Sequence, residues 1–151
     1  MSNITTLILV AGKSSRFKSK QSKIFHDLAG MPIIDHIYYT AKKISKDIVF
    51  ICNKDNIKIL KKRFKDCKFA IQKKQNGTAH AVLSAKNFIR NNADILILFG
   101  DVPLITLSSL RKLINNYNKN KNLGVMLAFN TMQPFAYGRV ISKGKIVKRV
   151  I

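Results

Sequence analysis

The sequence predicts an α/β fold of three layers, with helices on both faces of a mostly parallel β-sheet, and three observations carry that prediction. Short runs of strand length recur along the chain: Thr6 to Val10, Ile48 to Cys52, Lys68 to Ile71 and Asp94 to Phe99. Between them lie segments whose apolar residues return at helical spacing, the alternation that buries parallel strands beneath crossover helices. Finally, the residues suited to chemistry fall just after strands: Gly12 to Lys23 after the first, Gln72 to Thr78 after the third, Asp101 after the fourth. Ligands of open α/β sheets sit beyond the carboxyl ends of the strands. With 151 residues, 46% of them hydrophobic, the chain is large enough for one domain with a real core and too apolar for disorder.

Each element follows from its local pattern. The first strand stops at small residues, Ala11, Gly12, Ser14 and Ser15, where the chain must turn and let something approach its backbone. Ala29-Gly30-Met31-Pro32 reads as a turn that sets Pro32 in the first turn of a helix. Ile33, Ile34, Ile37, Tyr38, Ala41 and Ile44 continue that helix. After the second strand, Asn56 to Phe64 is a basic amphipathic helix. A polar loop, Gln72 to Gly77, leads from the third strand into a helix from Thr78 to about Asn91. The fourth strand, the most hydrophobic, ends sharply at Gly100-Asp101-Val102-Pro103. Thr106 to Tyr117 reads as a helix and Leu123 to Phe129 as a strand. Gly138 to Ser142 and Lys145 to Ile151 form a hairpin around Lys143-Gly144. Neither a repeat nor a linker is visible.

The chemistry begins at the first strand's exit. Lys13, Arg16 and Lys23 lie in or just after the small-residue loop. Together with Leu9, Val10, Ala11 and Gly12 they make a phosphate cradle, in which peptide N–H groups and side-chain charge face one anion. Two better-known motifs are excluded. Gly12-Lys13-Ser14 matches the close of a P-loop, but the upstream glycine would fall at Leu7, inside the strand. The dinucleotide fingerprint fails because Gly12 has no glycine partners at the right offsets. An ordinary turn with solvated lysines is the alternative this stretch alone leaves open.

Asp101 puts one carboxylate at the mouth of a buried strand, beside Phe99 and Gly100. Facing phosphates, it suits Mg²⁺, which takes few carboxylates plus phosphate oxygens and water. Capping the turn before Pro103 is the plainer role. The Gln72 amide offers both a donor and an acceptor, as reading a pyrimidine edge requires. Gly77 and Thr78, at a helix start, add backbone N–H and C=O groups, although Thr78 also suits a simple N-cap. Gly138 opens a strand. His26, His36 and His80 form no metal-like cluster and read as structural, and Cys52 and Cys67 as structural thiols without metal spacing.

The charge is unusual: 28 Lys+Arg against 7 Asp+Glu, a net +21. Yet the lysines are spread along the chain among many Asn and Ile, as an AT-rich genome produces, and do not alternate with aromatic residues as in a stacking platform. That argues against a nucleic-acid-binding protein and for a solvated basic surface that attracts polyanionic substrates. No apolar run approaches membrane-spanning length and no signal peptide opens the chain, so it reads as cytoplasmic, with no membrane partner.

Leu9-Val10-Ala11-Gly12-Lys13-Ser14-Ser15-Arg16, followed by Ser22-Lys23-Ile24-Phe25-His26, resembles the signature of the sugar-phosphate nucleotidylyltransferases, within the MobA-like NTP transferase superfamily. The nearest pattern is the uridylyltransferase half of the bacterial bifunctional N-acetylglucosamine-1-phosphate uridylyltransferase/glucosamine-1-phosphate acetyltransferases. That family shows L-A-A-G-x-G-T-R-M and then P-K. Here Val10 replaces an alanine, Ser14 the second glycine, Phe17 the methionine and Ser22 the proline. Ser14 matters most, because it narrows backbone freedom beside the triphosphate. Gln72 to Ala81 resembles Q-x-x-x-x-G-T-x-H-A, Leu98 to Ile105 resembles L-Y-G-D-V-P-L-I with Phe99 for tyrosine, and Pro134 to Val140 resembles P-x-x-Y-G-R-I.

The resemblance, which spans about residue 5 to Ile151, implies a Rossmann-like three-layer nucleotidyltransferase fold with a mostly parallel mixed sheet. It makes Arg16 and Lys23 catalytic, stabilising the triphosphate and its developing charge. It assigns Leu9 to Lys13 and Lys23 to nucleotide and sugar binding, and Gln72, Gly77 and Thr78 to uracil. Phe99-Gly100-Asp101 become part of the nucleotide and sugar site, Asp101 the Mg²⁺ ligand, and Gly138 a backbone contact to the acceptor sugar. The implied partners are UTP and a sugar-1-phosphate; the implied reaction yields UDP-N-acetylglucosamine and pyrophosphate. Family domains run on for roughly half this length again and continue into a trimeric β-helix acetyltransferase domain. Residues 1–151 therefore read as the N-terminal part of the transferase domain, incomplete at the C-terminus, lacking the segment that closes the sugar pocket, with a homo-oligomer left open. A sibling enzyme using another nucleotide and acceptor, or an inactive nucleotide-binding fragment, is the alternative.

Overall fold

Apolar runs and helical-period segments alternate in space as they do in sequence. The chain enters β1 (Ile4–Leu9), then a 3₁₀ turn at Lys23–Phe25 and a small hairpin of β2 (Asp27–Leu28) and β3 (Met31–Pro32). It continues through α1 (Ile33–Lys42), β4 (Asp47–Cys52), α2 (Ile57–Arg63), β5 (Lys68–Ile71), α3 (Gly77–Ser84) and a 3₁₀ turn at Lys86–Phe88. It then forms β6 (Asp94–Phe99), α4 (Leu107–Asn120) and a hairpin of β7 (Val140–Lys143) and β8 (Ile146–Val150). The computed structural model describes residues 3–12, 19, 21–120, 122–133, 135 and 137–151. The chain divides into two units, Met1–Arg111 and Lys112–Ile151.

The first unit is built on a 4-stranded sheet in the order β5-β4-β1-β6, every pairing parallel. Because β1 pairs on both sides, Leu9 faces Ile51 across one edge and Phe99 across the other. Successive side chains on a strand point to opposite faces. Leu7, Val49 and Ile51 therefore share one face, where Ala81 and Ala85 of α3 and its exit close over them with Phe88 and Ile89. Phe50 points to the other face and stacks on Phe64, just past α2, at 4.8 Å, and on Tyr38 of α1 at 6.4 Å. Arg63 locks α2 to α1 with a two-point ion pair to Asp35, its Nε donating to Oδ1 at 2.5 Å. Three layers result, as the alternation predicts.

Several expectations shift. β6 is not a buried strand: it sits at the sheet edge, and Ile95, Ile97 and Phe99 on one face are 45%, 41% and 50% exposed while Leu96 and Leu98 are buried. Hydrophobicity alone does not tell an edge from a centre, because that depends on which strands pair. As expected, the main sheet is parallel, and the antiparallel pairs among the described residues are the separate hairpins β2–β3 and β7–β8. Pro32 stands at the N-cap of α1, a residue earlier than expected, and Ala29 and Gly30 (φ +51° and +80°) make the turn between β2 and β3. The expected helix to Asn91 ends at Ser84, and after Ala85 a tighter 3₁₀ turn seats Phe88 and Ile89 on the core.

In the second unit, residues 123–129 form no strand. β-structure needs a hydrogen-bonding partner, and the apolar residues of this stretch find none among the described residues: Leu123 is fully exposed and Phe129 67% exposed. The β7–β8 turn is Gly144-Lys145, one residue later than predicted, with Gly144 at φ +59°, the first position of a two-residue hairpin loop that favours glycine. Among the described residues no helix is long and apolar enough to cross a membrane.

Candidate functional site

The parallel registry of β1 and β6 sets the site. Past the last strand pair, Leu9 and Phe99, the Gly100 N–H still donates to the Leu9 carbonyl at 3.0 Å. Val10-Ala11-Gly12 and Gly100-Asp101 therefore leave the sheet side by side. On the other side, Gln72 continues β5 by donating its N–H to the Cys52 carbonyl at 2.9 Å. One cleft of about 530 Å³ opens at these strand ends, lined by Leu9, Val10, Ala11, Gly12, Lys23, Gln72, Gly77, Thr78, Phe99 and Asp101 among others. That size is typical of a small-molecule site. Most of the sequence-predicted site residues meet there. Gly100 stands behind the lining, packed on Val10. Lys13 and Arg16 lie outside the described residues, and Gly138 belongs to the second unit, where it packs on Val150.

The loop after β1 is held from behind. Asn56, buried, donates through Nδ2 to the Val10 carbonyl at 2.7 Å, while Asn53 Nδ2 and Gln75 Nε2 donate to the Ala11 carbonyl at 3.1 and 2.6 Å. Asn53 and Asn56 are themselves fixed: Asn53 Oδ1 accepts the N–H groups of Asp55 and Asn56, and Asn56 Oδ1 accepts that of Asn53. An anion arriving here meets carbonyl oxygens already occupied by amide donors, which reduces their repulsion of negative charge.

On the cleft wall, Gly77 opens α3 at φ +86°, a left-handed conformation that favours glycine. The cap position is Asn76, so Thr78 is the second helical residue and not the N-cap. Gln72 is 7% exposed, and its Nε2 lies 3.3 Å from both the Gly77 carbonyl and His80 Nδ1. Gln75, Asn53 and Asn56 escaped the sequence reading, and His80, read there as structural, stands beside Gln72. Gln75 and His80 sit inside a motif that was recognised, whereas the Asn53/Asn56 pair shows only the three-residue spacing of an Asx turn.

Lys23 Nζ donates to Asp101 Oδ2 at 2.5 Å across the cleft mouth, with side chains 37% and 40% exposed. A cation already stands against this carboxylate, which shows that the position accepts positive charge. Among the described residues no group of three or more His, Cys, Asp or Glu could hold a metal. Among the described residues, Asp101 is the one carboxylate lining the cleft, which fits Mg²⁺ bound through a carboxylate plus phosphate and water and does not fit a metal caged by protein alone. Burial pushes the Cys52 thiol up to about 11, and burial with the nearby Asp66 carboxylate does the same for Cys67. Neither thiol is a nucleophile at neutral pH.

The family model for the MobA-like NTP transferase domain matches residues 6–144. "Bifunctional protein GlmU" of Thermotoga petrophila is 38% identical over 138 residues, covering 91% of this chain and 31% of the relative. The protein of the same name from Clostridioides difficile is 36% identical over 151 residues, covering 98% and 33%. The chain thus spans about a third of the length of the curated relatives it matches. Among solved structures, the bifunctional IspDF of Campylobacter jejuni superposes with a TM-score of 0.65 at 23% identity, over 78% of this chain and 31% of that one. Rv0371c of Mycobacterium tuberculosis H37Rv gives 0.64 at 17%, over 76% and 60%. These two likenesses speak to the fold.

Proposed function

The chain belongs to the MobA-like NTP transferase domain family, and from that premise we propose that it serves nucleotidyl transfer from UTP to N-acetylglucosamine-1-phosphate. One observation carries the reading: Lys23, Asp101, Gln72, Gly77 and Thr78, from three separate stretches of sequence, line a single cleft at the strand ends. The 36–38% identity to proteins named GlmU supports the choice of substrates.

In this reading a phosphate oxygen of the sugar phosphate attacks the α-phosphorus of UTP. The new P–O bond forms as the α–β anhydride bond breaks, and pyrophosphate leaves with its electron pair. No protein nucleophile takes part; positioning and charge neutralisation carry the rate. Lys23, with Lys13 and Arg16, balances triphosphate charge. Asp101 would hold Mg²⁺, which when bound neutralises charge on the reacting phosphates. For Lys23 this requires exchanging its Asp101 contact for phosphate, an easy exchange because the pair is exposed. Gln72, Gly77 and Thr78 hold uracil. A cytoplasmic location goes with these substrates.

The test is thermal protection of residues 1–151 by each nucleoside triphosphate with Mg²⁺. UTP raises the melting temperature most, since a ligand bound only by the folded state stabilises it more the tighter it binds. Equal protection by UTP, CTP, GTP and ATP overturns the uridine assignment and favours the sibling-enzyme reading.

A further inference from the structure

We infer that His80 reinforces the polarity with which Gln72 reads the base, and so acts as a specificity-determining positioning residue; the inference rests on the uridine reading above. A glutamine amide is ambiguous: one end donates, the other accepts, and the two are distinguished by their neighbours. Here the neighbours decide. The Gly77 carbonyl can only accept, so the group 3.3 Å from it must be the amide NH₂ and not Oε1. The same nitrogen lies 3.3 Å from His80 Nδ1. With one amide hydrogen on Gly77, the other is directed to His80 Nδ1.

Both donors of the buried Gln72 side chain are thereby spent on protein. What remains for a ligand in the cleft is Oε1, an acceptor. The complementary group on a pyrimidine is the imide N3–H of uracil, whereas cytosine presents an unprotonated N3 at that position. An amide is planar, so the Gly77 contact orients both hydrogens at once, but at 3.3 Å it is a long bond. His80, half-buried on α3 one helical turn from Gly77, takes the second hydrogen and reinforces that orientation. The family motif surrounding it assigned His80 no chemistry in the sequence reading; the hydrogen bond does.

The experiment measures dissociation constants of the 151-residue chain with Mg²⁺ and four probes: UTP, CTP, N3-methyl-UTP and 4-thio-UTP. In the unaltered chain N3-methyl-UTP binds about tenfold or more weakly than UTP, as loss of a hydrogen bond to a buried group requires, while 4-thio-UTP binds within about threefold because Gln72 offers no donor to position 4. In His80→Leu the UTP-to-CTP ratio falls by about tenfold. His80→Asn, whose Oδ1 stands near the Nδ1 position, restores the ratio. N3-methyl-UTP binding as tightly as UTP, or a His80→Leu chain that keeps the full UTP-to-CTP ratio, overturns the role given to His80. Failure of the underlying reading looks different: the unaltered chain then shows no preference for UTP over CTP at all.

Discussion

Gly100 is the position where adding one methyl group tests the packing behind the cleft. A Cβ built there would lie 2.3 Å from Val10 Cγ1, 3.2 Å from Ile34 Cδ1 and 3.2 Å from the Leu9 carbonyl oxygen. The first distance is roughly an ångström short of the ~3.5 Å at which carbon atoms touch. Val10 has little room to yield: it is 4% exposed, and β-branching restricts its rotamers. Nor can the backbone recede freely, because the same Leu9 carbonyl accepts the Gly100 N–H. Gly100→Ala therefore destabilises the chain by about 1–3 kcal/mol, the usual range for overpacking, and lowers the melting temperature by about 2–12 °C. Val10→Ala alone loses burial of two methyl groups, about 1.6 kcal/mol, plus a cavity term. In the double variant the methyl at position 100 enters the volume that Val10 vacates. The double variant is then less destabilised than the sum of the two single changes by about 1–2 kcal/mol, with residual strain from the 3.2 Å contacts. Denaturant melts of the four proteins complete the double-mutant cycle. Additivity within about 0.5 kcal/mol refutes the packing argument, and so does a Gly100→Ala chain as stable as the parent.

Asp101→Ala abolishes the Mg²⁺ dependence of UTP binding in calorimetry while changing stability by less than about 1 kcal/mol, because its pair with Lys23 is substantially exposed; unchanged magnesium dependence removes Asp101 from the metal site. Asp47 governs acid stability. Burial pushes its carboxyl up, but hydrogen bonds from Lys68, Thr5 and Arg90 outweigh that and hold it below the ordinary value of 3.8. A carboxylate depressed in the folded state contributes stability above its unfolded value, which is lost as pH falls through the folded one. Melting temperatures followed downward from about pH 5 should fall less steeply in Asp47→Asn than in the parent, and parallel curves exclude Asp47 as a source of the acid response.

What the sequence by itself determined was local. Apolar runs at 48–52, 68–71 and 94–99 named strands that the fold contains almost to the residue, because burial pattern and strand length are properties of a few neighbours. The positions of Gly12, Gln72 and Asp101 just past strands were equally legible, and a parallel sheet brings all strand ends to one edge whatever their order. That order belongs to the tertiary structure. β1 became central and the most hydrophobic strand, β6, took the edge, since rank in a sheet depends on pairings between residues some ninety positions apart, such as Leu9 with Phe99. Residues 123–129 carry a strand's composition and no strand, because a ladder needs a partner. Likewise, nothing within a few residues of Asn56, Gln75 or His80 says that they hold Val10, Ala11 and Gln72. An amide or an imidazole is polar in any context, and what it does is set by whichever carbonyl or side chain the fold brings within hydrogen-bond reach.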